Sequence, residues 1–308
     1  MTWFPIDESA HSLADEAEIT ALTSPSLSCS LEDFRSALHQ SPSAEDSLGG
    51  DLELAYRETT DDSNEDGVGP DAAEDEAIAD ASEELQRRSD VIGRGYPFTF
   101  DGIVLTASDT WANEAIAYVF LLLLSAPGLP GKTEGRRLFE EVVTAALAQY
   151  LAGESLRFGF PYRHPVPSHP NEALNYLAKQ MGQPRLSTRQ VRASEKDMGV
   201  DAVAWKPFSD SRSSKVVLLA NCSTGTDWNS KLGELNIEKW KRMIDFGCNP
   251  VQAFAVPWIP NYEDWADIVD YGNMVVDRAR VASLLFHWNA SPTIQRWCAK
   301  RLQEAKTL

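Results

Sequence analysis

Beyond residue 110 the apolar positions recur with two alternating periods, and the alternation sets an order of elements. Trp111 to Ser125 is apolar with little polar interruption, which predicts one buried helix. Gly128, Pro130 and Gly131 break the chain after it. From Thr133 to Ala152, Leu138, Phe139, Val142, Val143, Ala146, Leu147, Tyr150 and Leu151 fall on one helical stripe. Ser155–Phe160 alternates as a strand does, and Glu172–Met181 reads as a short helix closed by Gly182 and Pro184. Val200–Trp205 and Lys215–Cys222 are β-rich runs on either side of a polar turn, the pattern of a hairpin. There follow a helix over Trp228–Asp245, a strand over Val251–Val256, a short helix over Glu263–Val269 and a buried strand over Met274–Val276. Helices over Arg278–His287 and Thr293–Lys306 close the series. Interleaved helices and strands of this kind predict an α/β layer architecture.

The first 90 residues differ. They hold 24 Asp and Glu against four basic residues, whereas residues 91–308 hold 22 acidic and 24 basic ones. The net charge of −18 over 308 residues is thus an N-terminal property and does not argue against nucleic acid as a partner of the rest. Ser30–His39 reads as a short capped helix. Residues 59–80 are nearly all Asp, Glu, Ser, Gly and Ala, which predicts a flexible segment. Residues 1–90 read as an acidic solubilising region or as an acidic arm covering a basic groove, and residues 91–308 as one α/β domain. No secretory signal opens the chain, and the uncharged stretch from Ala115 is too short for a membrane span, so a soluble, cytoplasmic protein is expected. Four scattered cysteines suggest neither a disulfide framework nor a zinc site.

Three constellations bear on chemistry. Ala126-Pro-Gly-Leu-Pro-Gly-Lys132-Thr133 has a relaxed phosphate-loop spacing, with Asp277 available as a distant acidic strand end, and it makes a nucleotide-binding protein one alternative. Against it, two prolines remove amide donors and the preceding run reads as helix rather than strand. The five histidines lack ligand spacing and read as ordinary surface or loop residues. The third constellation is Asp197-Met-Gly-Val-Asp201 at the head of one strand, Asn221-Cys-Ser223 at the end of the next, and Glu140 on the preceding amphipathic helix. An acid at a strand start, a polar strand end and a helical Glu can converge on one hard cation.

This series resembles the PD-(D/E)XK restriction-endonuclease-like superfamily, in particular its type IV, Mrr-like branch. The resemblance spans residues 134–286 and includes element order. Phe139-Glu140 stands for the helical Phe-Glu pair, Asp197-x-Gly-Val-Asp201 for the second-strand motif, and Asn221-Cys-Ser223 for Glu/Gln-x-Lys, a degenerate third motif. It implies a mixed sheet flanked by helices and Mg²⁺- or Mn²⁺-dependent hydrolysis of DNA phosphodiesters. Glu140, Asp201 and the weaker Asn221 would be the metal ligands. Ser223 replaces the family's lysine, and Lys231 is the relocated candidate, ahead of Lys215. The resemblance also implies a setting in prokaryotic restriction or antiphage defence, with partner subunits. Arg157, Arg163, Arg189, Arg192 and Lys196 (with Arg185) cluster in sequence near the site and are expected to track a phosphate backbone, with Phe160 and Tyr162 beside them. A catalytically degenerate scaffold holding DNA or a partner protein is the other alternative.

Overall fold

A computed structural model describes residues 8–33, 70–186, 197–210 and 212–307. Helix α1 spans Glu8–Thr23 and strand β1 Ser28–Ser30. Helix α2 spans Pro70–Ile92, strands β2 and β3 Phe98–Phe100 and Val104–Ala107, and helices α3 and α4 Trp111–Glu114 and Ile116–Ser125. The long α5 (Lys132–Leu151), β4 (Glu154–Arg157), α6 (Pro170–Met181), β5 (Ala202–Trp205) and β6 (Val217–Cys222) follow. The chain continues through α7 (Ile237–Lys241), β7 (Val251–Ala255), α8 (Tyr262–Asp270), β8 (Met274–Val276), α9 (Arg278–Leu284) and α10 (Pro292–Ala305).

Strands β4 to β8 form one mixed sheet in sequence order. β4, β5 and β6 are antiparallel, while β6, β7 and β8 are parallel. The expected hairpin is present, with Ala202 opposite Ala220 and Trp205 opposite Val217. Alternation divides the sheet between two cores. Ala202, Ala204, Leu218 and Ala220 face the larger core with α5, and the three alanines let that helix sit close. Val203, Trp205, Val217 and Leu219 face a second core made with α6 and Trp240 of α7. Helix α8 covers the far end of that second face through Ile268, against Phe254 and Val275.

The structure departs from the expected elements at several places, and the strand expected over Ser155–Phe160 ends at Arg157. Trp111–Ser125 is split at Ala115 into α3 and α4, the second of which is buried from Ile116 to Leu124. The run Trp228–Asp245 is not one helix. It begins as a 3₁₀ turn over Trp228–Lys231 and re-enters helix at α7, capped by Asn236. The break lets the backbone at Glu234 and Leu235 press on Gly199, where a Cβ would lie 2.9 Å from their atoms. Residues 70–80, expected within a flexible segment, are the opening turns of α2. A narrow stripe of small and aliphatic residues, Ile78, Ala81 and Leu85, docks on the core despite the acidic composition. Of the expected helix at Ser30–His39, the described part is a reciprocal cap in which Ser30 N–H donates to Asp33 Oδ2 and Asp33 N–H to Ser30 Oγ. Residues 34–39 and 59–69 lie outside the described residues.

The expected boundary at residue 90 falls inside α2, and α1 and α2 are built into the body of the fold by buried ions. Arg88 donates to Asp15 at 2.6 Å, Glu84 at 2.7 Å and Glu18 at 3.0 Å. Arg278, at the start of α9, grips Asp15 through both terminal nitrogens at 2.7 and 2.8 Å and reaches Ser125 Oγ. Tyr96 and Tyr118 donate to Glu18. His11, read as an ordinary histidine, belongs to this cluster, its Nδ1 2.7 Å from Arg88 Nη2. Among the described residues no helix is long and apolar enough to cross a membrane.

Candidate active site

Helix α5 buries Phe139 completely in the core, which turns the next residue, Glu140, toward the sheet end where β4 leaves and β5 begins. Past β4 the chain is drawn onto β5: Phe158 and Gly159 both donate their N–H to the Asp201 carbonyl, at 2.7 and 2.9 Å. Gly159 is therefore the backbone against which two carboxylates rest. A Cβ built on it would lie 2.3 Å from Glu140 Oε2 and 2.9 Å from Asp201 Oδ1. The other Asp201 oxygen accepts the Cys222 N–H at 2.7 Å, which ties the carboxylate to the end of β6.

Burial pushes the Glu140 carboxyl up to about 7, against the pull of Arg157. It pushes Asp201 to about 8, reinforced by the charge of Glu140. Asp197 adds negative potential to both while anchoring the approach to the site, its Oδ2 accepting the Phe160 N–H at 2.7 Å and its Oδ1 the Gly199 N–H at 3.2 Å. Burial and the carboxylate pair push the Cys222 thiol up as well.

Arg157, expected on a phosphate path, places Nη2 2.5 Å from Glu140 Oε2. Arg163 lies close enough to favour the ionised form of Glu140. Arg189, Arg192 and Lys196 lie outside the described residues. Asn221 donates its amide to the Gly199 carbonyl at 3.0 Å, and its Oδ1 is buried without a hydrogen-bond partner. By strand alternation it shares the face of Leu219, whereas Cys222 shares the α5 face. Ser223 is fully buried and its hydroxyl has no hydrogen-bond partner among the described residues. Lys231 ends the 3₁₀ turn three residues before the Glu234–Leu235 backbone that abuts Gly199; its ammonium makes no hydrogen bond or ion pair among the described residues. Lys215 is buried on the opposite core, donating to the Met181 carbonyl at 2.9 Å.

The structure thus brings Glu140, Asp201 and Arg157 together, with Asp197 and Cys222 as neighbours that motif reading left without a role. Strand parity was the available signal for Cys222. For Asp197 the signal was the Asx turn onto Gly199. Among the described residues no three His, Cys, Asp or Glu side chains are grouped as a metal-ligand set.

The phosphate-loop alternative does not survive the coordinates. A helix, α4, precedes the loop, and Lys132 Nζ donates to the carbonyls of Leu124 and Ala126, both at 2.5 Å, closing the C-terminus of that helix. Arg301 packs over Gly131, where a Cβ would lie 2.1 Å from its Nη1.

No protein-family model and no curated protein matches the chain. Among solved structures it is similar to the MspJI restriction endonuclease in complex with a 27-mer oligonucleotide, with a TM-score of 0.29 and 14% identity over 66% of this chain. The match covers 40% of that protein's chain.

Proposed function

We propose that the chain is a metal-dependent nuclease that hydrolyses DNA phosphodiesters at the Glu140–Asp201 pair. The observation that carries the reading is the convergence of these two carboxylates on one point in front of Gly159. Mg²⁺ is commonly held by one or two carboxylates together with substrate phosphates, so a pair of hard oxygen donors fits it without a third acidic ligand. The raised proton affinities of both groups follow first from burial and then from their mutual repulsion with Asp197. A bound Mg²⁺ or Mn²⁺ supplies an activated water and neutralises phosphate charge.

The chain's own residues divide the remaining work. Glu140 and Asp201 hold the ion, and the Cys222 N–H fixes the rotamer of Asp201. Arg157 neutralises Glu140 in the free protein and exchanges that partner for a DNA phosphate. Lys231, without a hydrogen bond or ion pair among the described residues, supplies the cation that Ser223 does not. Asn221, its amide donating to the Gly199 carbonyl, acts as a brace of the Asp197–Asp201 loop. A setting in restriction or antiphage defence, with partner subunits, follows from the motif resemblance and belongs to the same proposal.

The test is plasmid cleavage by purified protein in Mg²⁺ or Mn²⁺. Cleavage should fall at least about 100-fold in Asp201→Asn and in Glu140→Gln, and Lys231→Met should lower the rate without weakening metal binding. DNA binding with no cleavage by the native chain would overturn catalysis and leave the scaffold reading.

A further inference from the structure

A cleft of about 410 Å³ opens where the parallel strands β6 and β7 end, the usual place for a ligand in an open α/β sheet. Thr224 and Thr226, just past β6, form one side and Trp258, past β7, another. Ser12 of α1 closes it from across the molecule. Trp228 and Trp258 meet edge to face in its wall, with ring centroids 6.4 Å apart. The hydroxyls of Ser12, Thr224 and Thr226 make no hydrogen bond among the described residues.

The lining also says what the cleft excludes. Among the described residues no lysine or arginine lines it, and the acidic side chain that does is Asp264. His11, also on the wall, has its imidazole pKa lowered by burial, and its Nδ1 faces the Arg88 guanidinium. A phosphate or carboxylate ligand would meet the Asp264 carboxylate without a lysine or arginine among the described lining residues, the nearest guanidiniums being engaged behind Ser125 and His11. A flat, uncharged, polar heterocycle would find an indole pair to stack on and hydroxyls able to donate or accept at its edge. The cleft begins at Thr224, two residues beyond Cys222, whose N–H holds the Asp201 carboxylate.

We propose that this cleft is a nucleobase subsite, which takes an unstacked base of the strand whose phosphate lies at Glu140 and Asp201. The choice of strand rests on the nuclease reading; the base-binding property does not. The substrate class is therefore single-stranded DNA, or duplex with one base turned out of the stack.

Binding is measured in EDTA, where no metal-dependent cleavage occurs, with fluorescein-labelled dA10 and an abasic decamer of equal charge. The native chain should prefer dA10 by about tenfold. Ser12→Phe and Thr226→Phe fill the cleft from opposite walls at exposed positions. Both should abolish the preference while leaving abasic binding unchanged, and Asp201→Asn should retain it. The proposal is overturned if the native chain shows no preference, if both filled variants keep it, or if they lose both ligands equally. Two independent walls keep the test decisive should one variant fail to fold by circular dichroism. If the preference and its loss are seen but no cleavage occurs in Mg²⁺ or Mn²⁺, the nuclease reading fails and the base subsite stands.

Discussion

A single methyl group at position 159 would overlap Glu140 Oε2 and crowd Asp201 Oδ1, so Gly159→Ala tests the site without touching an ionisable group. The global fold should survive, because the flanking β4–β5 pairing is unchanged, while Mn²⁺ affinity and cleavage fall at least about tenfold. Isothermal titration with Mn²⁺ alongside cleavage checks this. Ionisation gives a second residue-scale expectation. With carboxyls near 7 and 8, metal binding and cleavage should climb as pH rises from 6 to 8.5 and then level. Higher Mg²⁺ should shift that climb toward lower pH. Glu140 and Asp201 were legible because each stands at a fixed place on its element, one after a core Phe and the other at a strand head. The pairing of Arg157 with Glu140 was not, since it depends on how β4 lies under α5, which no local pattern encodes.

At the scale of elements, boundaries followed periodicity wherever a segment packs along its whole length, as α5, α6, β7 and β8 do. They failed over Trp228–Asp245, where the chain turns in 3₁₀ form, packs its backbone at Glu234 and Leu235 against Gly199 and re-enters helix only after the Asn236 cap. Lys132 shows the same contrast in chemistry. Its place after a Gly-Leu-Pro-Gly turn has a phosphate-loop spacing, yet its ammonium caps α4. Lys132→Met should strand two carbonyls at the end of a buried helix and cost about 1–2 kcal/mol of stability. Urea denaturation measures the loss. ATP should not bind the native chain, and cleavage by the variant under folded conditions should be unchanged; a catalytic loss without a stability loss would restore the nucleotide reading.

For the molecule as a whole, two sets of buried carboxyls oppose one another, and their balance predicts how stability varies with pH. Burial works against ionisation of Asp15, yet Arg278 and Arg88 hold it well below the usual carboxylate range, and Arg87, His11 and Arg88 do the same for Glu84. Stability from these groups is complete above the unfolded carboxylate values near 4 and is lost as pH falls below them. Glu140 and Asp201 run the other way. Their folded values are raised, so their contribution is complete below about pH 4 and is lost as pH rises through 7 and 8. Stability in EDTA should therefore peak near pH 4–5 and decline toward pH 8.5. Asp201→Asn, which can still accept the Cys222 N–H, should recover on the order of 1–3 kcal/mol at pH 8.5. Mg²⁺ should flatten the alkaline side of the profile, because it binds the ionised pair and stabilises the folded state by mass action. The acidic side belongs to the network that joins α1 and α2 to α4 and α9, and Mg²⁺ should leave it unchanged. Arg88→Met should cost about 3–5 kcal/mol by leaving Asp15, Glu18 and Glu84 buried beside one fewer cation. For the same reason removal of residues 1–90 should give insoluble protein rather than a tighter DNA binder. Urea midpoints at pH 3, 4.5 and 8.5, with and without Mg²⁺, separate the two sets; a profile flat from pH 4.5 to 8.5 would mean that Glu140 and Asp201 are not the crowded pair on which the site depends.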